Sequence, residues 1–238
     1  YFPSNSYIFN PKYIGNTEEI KCLTKIRCKC RYDIYVKKKI LNIFGKSGIL
    51  LDKYIEVENI NSILRLLKPN NCGYELIRIG SPNDGGYLIP NVLDGITACF
   101  SPGVSTNSSF EWDLAELGMK CFLADYSVEA PPREHSNFDF IKLYLDSICS
   151  SKTTTMKRWL GRCDVPGDYL LQMDIEGHEY AVLLSRSTKL LKRFRIIVVE
   201  FHEFDSIVTE IGNLTFKHTL NHLLQNHTIV HVHPNNFG

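Results

Sequence analysis

The sequence predicts an α/β domain built on a doubly wound, mostly parallel sheet, preceded by a helical and irregular N-terminal extension. Three observations carry this. From Ile96 onward, short apolar runs alternate with helix-length amphipathic segments, which argues for parallel strands covered on both faces. The run Tyr169–Met173 (YLLQM) ends in Asp174-Ile175-Glu176-Gly177-His178-Glu179, so several ionisable groups gather at one strand end. Twenty-six residues after Tyr169 the pattern recurs, and Arg195-Ile196-Ile197-Val198-Val199 ends in Glu200-Phe201-His202-Glu203. In open α/β sheets the carboxyl edge of the strands is where ligands bind.

Residues 1–70 form the extension and residues 71–238 the main domain. The extension is aromatic and basic, with a cluster from Lys21 to Lys46 that reads as a solvated face. A helix is expected from Val57 to Leu67, because Ile60, Ile63, Leu64 and Leu67 fall on one face and Pro69 stops it. Glu75–Gly80, the turn Ser81–Gly86 and Tyr87–Pro90 read as a β-hairpin. The first sheet strand is Ile96–Phe100. It is followed by a loop containing Gly103, a helix from about Ser108 to Leu117, and Gly118 as its C-terminal stop. Lys120–Ala124 is the second strand, ending in Asp125. Phe138–Leu145 is the third, ending in Asp146-Ser147. A helix over Thr153–Leu160, capped by a threonine, leads to the fourth strand, Tyr169–Met173. A helix at about Tyr180–Leu191, the fifth strand Arg195–Val199, a helix Phe216–Gln225 and a last strand Thr228–Val232 complete a Rossmann-like order.

Composition removes several function classes. The net charge of +1 and a site without aromatic–basic interleaving argue against a nucleic-acid substrate. No apolar run reaches the eighteen or so residues of a membrane-spanning helix. The sequence begins at Tyr1, which points to a leader or membrane anchor upstream of the given chain. Of eight cysteines, Cys99 and Cys121 sit in core strands. Cys22, Cys28, Cys30, Cys72, Cys149 and Cys163 lie in polar surroundings open to disulfides, and Cys22-x5-Cys28-x-Cys30 does not fit zinc-ligand spacing. Sequons at Asn107, Asn213 and Asn226 are near the number expected by chance. Together these features lean toward the secretory pathway, the Golgi lumen in particular, with a cytoplasmic setting as the alternative.

The strand ends suit a nucleoside. Gly103 lets backbone approach a ligand, Ser108-Ser109 open a helix whose N-terminus favours anions, and Asp125 can accept from ribose hydroxyls. Asp146 can hold an adenine amine. For each aspartate the competing reading is a turn or helix cap. The single glycine makes a pyrophosphate a poor fit and a nucleoside such as S-adenosylmethionine a better one.

DGGYLIP, CFSPGVSTNSSFE, the Asp125 strand end, LLQMDIEGHEYAVL and VVEFHEF, in this order, resemble the FkbM-type S-adenosylmethionine-dependent methyltransferases. The similarity spans about 75–238, and DIEGHE is its most specific part. It implies a class I methyltransferase fold, with the cofactor over strands one to three and the acceptor over strands four and five. Cofactor contacts then fall to Ser101, Gly103, Asp125, Tyr126, Asp146, Ser147 and Asp174. One departure is that Ser101 stands where such enzymes commonly carry an acid.

On the same resemblance Asp174 is the residue nearest the transferred methyl. Strand alternation places Asp174 with Glu176, and Glu200 with His202, on shared faces. His202 and His178 are candidate bases for a hydroxyl acceptor, with Glu176 beside them. The competing reading makes Glu176, His178 and Glu179 parts of a helix start. Tyr87, Glu200, His231, His233 and Asn235 are candidate acceptor contacts. No metal is expected, although His231 and His233 could join Asp174 and His202. The expected activity is methyl transfer to a hydroxyl of a sugar, glycan or small molecule. Another Rossmann enzyme binding NAD or a nucleotide-sugar, and a non-catalytic interaction module, stay open as alternatives.

Overall fold

A computed structural model describes residues 7–8, 52–185 and 188–234. The chain divides into two compact units, residues 1–61 with 206–214 and residues 62–205 with 215–238. The basic cluster and Cys22, Cys28 and Cys30 lie outside the described residues.

In the first unit, β1 (Tyr7–Ile8) pairs antiparallel with β2 (Asp52–Lys53), and Tyr54 bridges Thr209. Helix α1 runs Val57–Leu66, so the division at residue 61 falls within it. Ile63 is its buried residue, while Leu64 of the expected apolar stripe is exposed.

In the second unit, β3 (Leu76–Gly80) and β4 (Gly86–Pro90) form the expected antiparallel hairpin. The main sheet comprises β5 (Ile96–Pro102), β6 (Lys120–Ala124), β7 (Phe138–Ile141), β10 (Asp168–Met173) and β11 (Phe194–Val199). Its order is β11-β10-β5-β6-β7 and every pairing is parallel. The chain winds from β5 outward to β7, then returns to add β10 on the other side of β5. The β5/β10 boundary is therefore the topological switch point, where the carboxyl ends open a crevice.

Alternation along the strands divides the core in two. One cluster takes Phe100, Phe122, Tyr169, Leu171 and Met173, under α3 (Met156–Leu160), α4 (Glu179–Leu184) and α5 (Thr188–Leu191). The ring of Phe100 is its hub, stacked on Phe122 at 4.7 Å and edge-on to Trp159 at 5.1 Å. The opposite cluster takes Cys99, Cys121, Leu123 and Leu170 under α2 (Ser109–Glu116) and the hairpin. Helix α2 buries Phe110, Glu111, Leu114 and Ala115, a stripe at helical spacing.

Four expectations need correction. The run 138–145 is not one strand. The amide of Leu143 turns back to the carbonyl of Ile141 at 2.9 Å, and β8 (Tyr144–Leu145) then pairs with β9 (Thr153–Thr154) in a separate two-stranded parallel ribbon. Thr153 is thus strand, and Thr155 is the cap of α3, accepting from the amide of Arg158. The last helix, α6, is longer than expected, Glu210–Leu223. No strand forms over residues 228–232, where the carbonyl of Ile229 accepts from the amide of Asn70 at 2.8 Å.

Cys72, Cys149 and Cys163 are free thiols, so the disulfides allowed for them are not formed. Two sequons are engaged internally: the Asn107 amide donates to the carbonyl of Asp84, and the buried Asn213 amide donates to the carbonyl of Ile207. Among the described residues no helix is long and apolar enough to cross a membrane.

Candidate active site

A cavity of about 570 Å³ opens at the switch point, within the range of small-molecule sites. Its walls come from the hairpin turn (Asp84, Gly85, Tyr87), the β5–α2 loop (Gly103 to Asn107) and the β6 end (Asp125, Ser127). The β8–β9 ribbon (Tyr144, Asp146, Thr153) and the β10 end (Gln172, Asp174, Glu176, His178) close it. Six lining residues are acidic: Asp84, Glu111, Asp125, Asp146, Asp174 and Glu176. Among the described residues, none that lines it is lysine or arginine.

Gly103 shows why the first loop tolerates no side chain. Its φ is +88°, and a β-carbon there would overlap the backbone carbonyl of Asp174. The bare backbone of Gly103 both lines the cavity and admits the β10 end. The amide of Gly103 binds the carbonyl of Ala124 at 2.9 Å, so three strand ends are drawn together.

Asp125 is buried, its Oδ2 accepting from the amide of Ser105 at 2.8 Å and its Oδ1 from the amide and hydroxyl of Ser127 at 2.7 Å. It pins two loops and keeps further acceptor capacity toward the cavity. Asp146 reaches the cavity from the ribbon rather than from the third sheet strand. The Ser147 hydroxyl donates to its Oδ1, and its Oδ2 lies 3.8 Å from Nδ1 of His178. Tyr126 is not among the lining residues. It packs against Tyr144 at 5.3 Å, with the ammonium groups of Lys142 and Lys152 over its ring.

The DIEGHE segment folds around a carboxylate rather than presenting one. Glu179 is fully buried, and its Oε1 accepts from the amides of Ile175 (3.0 Å) and Gly177 (3.3 Å) and from Nδ1 of His202 (3.0 Å). Glu176 (φ +56°) and Gly177 (φ +97°) take left-handed backbone to make this turn. The helix-start reading therefore holds for Glu179. Glu176 is 88 % exposed at the cavity rim and His178 is the N-cap of α4 with its ring 61 % exposed.

His202 is held by three carboxylates, its Nε2 lying 3.6 Å from Asp174 and 3.5 Å from Glu176. Burial alone would lower the imidazole's pKa, but the charges of Glu179, Asp174 and Glu176 outweigh it and raise it. Asp174 is pushed up to about 7, by burial first and then by the charge of Glu200, against the pull of His202. A carboxyl near neutrality is a competent acid or base at neutral pH. Asp174, Glu176 and His202 also bring three donor atoms within 4.8 Å of one another, a spacing a divalent cation could use. A protonated His202 supplies a positive charge at the same point.

Beneath the cavity the sequence reading missed two residues. Gln172, in the middle of β10, is buried and donates from Nε2 to the Tyr87 hydroxyl at 3.2 Å, while Ser101 donates to its Oε1 at 2.6 Å. Ser101 is also in contact with Glu111, whose burial pushes its carboxyl up to about 7. Ser101 is fully buried and absent from the cavity lining, so its expected place against the cofactor is corrected to one beneath the floor. The acid absent from the end of β5 is present in space, supplied by α2. Tyr87 contacts Phe110 edge-on and its hydroxyl donates to Oε2 of Glu200 at 3.4 Å. Burial, then Asp174 and Glu200, raise the phenol's pKa further. A polar residue inside an apolar strand, and a glutamate on the buried stripe of α2, were the available signals.

His231 and His233 stack on each other at 6.3 Å, and neither is among the residues lining the cavity. Among the described residues no contact joins them to Asp174 or His202. Burial, then the neighbouring His233, lowers the pKa of His231. Asn235 lies outside the described residues.

No curated protein and no solved structure matches the chain. Residues 152–227, from β9 through α6, match the family model of the methyltransferase FkbM domain, which supports a methyltransferase and coincides with the stretch that carries Asp174, Glu179 and His202.

Proposed function

We propose that this protein is an S-adenosylmethionine-dependent O-methyltransferase acting on a hydroxyl of a sugar, glycan or small molecule. The observation that carries the reading is the acidic lining of the cavity, six acidic residues and, among the described residues, no lysine or arginine. Such a lining favours a cationic ligand and opposes the diphosphate of NAD or a nucleotide-sugar.

The chain's residues fit that cofactor at both ends. Asp125 and Asp146 offer carboxylate acceptors to a nucleoside's hydroxyls and amine, and the Gly103 loop presents backbone rather than a phosphate cradle. When bound, the cofactor supplies an electrophilic methyl group. Asp174, near neutrality, takes the acceptor's hydroxyl proton. Its partner His202, locked by Glu179, keeps Asp174 in place rather than serving as the base itself. Tyr87 and Glu200 line the acceptor side and orient a polyol by hydrogen bonding. A sugar or glycan acceptor agrees with this polar wall, and a lumenal setting is the compartment that goes with it.

Calorimetric titration with S-adenosylhomocysteine, NAD and a UDP-sugar tests the reading. Binding of S-adenosylhomocysteine alone is expected. Binding of NAD or the UDP-sugar without it would overturn the assignment.

A further inference from the structure

The polar groups under the cavity form one continuous chain: Glu111, Ser101, Gln172, Tyr87 and Glu200. Its direction follows from counting protons. The Gln172 Nε2 donates to Tyr87, so its Oε1 faces Ser101 and can only accept. Ser101 has a single hydroxyl proton, and Gln172 takes it. The remaining contact, Ser101 with Glu111, is then a hydrogen bond only if Glu111 carries the proton and donates it. At the far end, Tyr87 accepts from Gln172 and spends its own proton on Glu200.

We propose that Glu111 is a positioning residue held as a neutral carboxylic acid, and that its proton, relayed as hydrogen-bond direction through Ser101 and Gln172, sets the Tyr87 hydroxyl as a donor to Glu200. The alternative arrangement is equally specific. An ionised Glu111 takes the Ser101 proton, the Gln172 amide reverses to donate to Ser101, and Tyr87 turns its proton to Gln172. Glu200 then loses the Tyr87 bond and stands as a fuller negative charge beside Asp174, whose proton affinity it already raises. Glu111 thus acts on the acceptor wall through side chains it does not touch. Burial favours the neutral acid: Glu111, Ser101 and Gln172 are all buried.

The titratable neighbours of Glu111 are the core thiols of Cys99 on β5 and Cys121 on β6, the latter donating to the Glu111 carbonyl at 3.4 Å. Asp125, Asp174 and Tyr87 line the same cavity. The protonation state stands on the hydrogen-bond geometry; only its role in orienting an acceptor rests on the proposed methyl transfer.

The test needs no turnover and uses the whole chain. The infrared difference between wild type and Glu111→Gln is expected to show a protonated-carboxyl stretch at about pH 5 that is lost by about pH 9. In an Asp174→Asn background, which removes the other carboxyl titrating near neutrality beside Tyr87, the ring-carbon resonance of Tyr87, identified by its loss in Tyr87→Phe, is expected to shift with the same midpoint. It should be pH-invariant in Glu111→Gln, whose amide donates to Ser101 as the acid does. Ser101→Ala cuts the second link and should abolish the Tyr87 shift while leaving the infrared band. No band at about pH 5, or a Tyr87 shift that persists in Glu111→Gln, overturns the proposal. Failure to bind S-adenosylhomocysteine would leave these signals unchanged and would count only against the methyltransferase reading.

Discussion

Replacing Glu111 with glutamine removes one ionisable group from the cavity floor while preserving its size and a donor for Ser101. Burial raises the carboxyl from 4.5 in the free state to about 7 in the fold. The folded protein therefore holds this proton more tightly than the unfolded chain does. Its contribution to stability is fully present below about pH 4.5 and is lost as pH rises through about 7. At about 1.4 kcal/mol per pH unit, the wild type gives up on the order of 3 kcal/mol across that window, and Glu111→Gln does not. Urea unfolding of both proteins at stepped pH measures this as a difference, in which Asp174 and His202 cancel because both proteins carry them. The variant is expected to gain steadily on wild type from about pH 4.5 to about pH 8.5. A level difference would refute the buried neutral acid. A difference growing in favour of wild type would mean that Glu111 is a stabilised carboxylate.

Three further outcomes are expected. Asp174→Asn should cut methyl transfer by about 100-fold. It should also raise the melting temperature of the ligand-free protein above about pH 7, where the wild-type carboxylate is ionised at a cost. His202→Gln leaves the buried Glu179 without its cationic partner and should cost about 2 kcal/mol in urea unfolding. Because the histidine's pKa is raised in the fold, that loss is largest below its unfolded value of about 6.5 and shrinks as pH rises through the folded value. Gly103→Ala places a β-carbon on the Asp174 carbonyl and should destabilise by about 2 kcal/mol or more, with at least a tenfold loss of S-adenosylhomocysteine affinity in calorimetry.

The parts of the fold legible in sequence are those where one local property decides. Lys120–Ala124 and Tyr169–Met173 are apolar runs too short for helices and bounded by turn residues, and both are central strands. The hairpin 75–90 was equally readable from its glycine turn. Segments where local signal and tertiary demand differ were misread. The run 138–145 is apolar apart from Asp139 and Lys142, and the turn-back at Leu143 splits it. The start of α6 carries Gly212, Asn213 and Thr215, which hide its helical period. The tail from Thr228 is apolar enough for a strand and does not join the sheet.

For the site, spacing along the chain was sufficient to nominate Asp174 and Asp125, because strand ends must meet at one edge of a parallel sheet, whereas Asp146 and Tyr87 reach the cavity from the β8–β9 ribbon and the hairpin. It also marked DIEGHE as the defining segment. What alternation could not decide is which acids face the cavity and which face the protein. Glu176 and Glu179 stand three residues apart, yet one is at the rim and the other is sealed behind His202. Glu111, ten residues from Ser101, becomes the acid at the end of β5 only because α2 packs back on that strand. Strand order and residue type are properties of short segments, so the sequence by itself determined the parallel sheet and its acidic edge. Burial depends on partners distant in the chain, so only the tertiary structure decided which of those acids are sealed, which face the cavity and which side chains they meet.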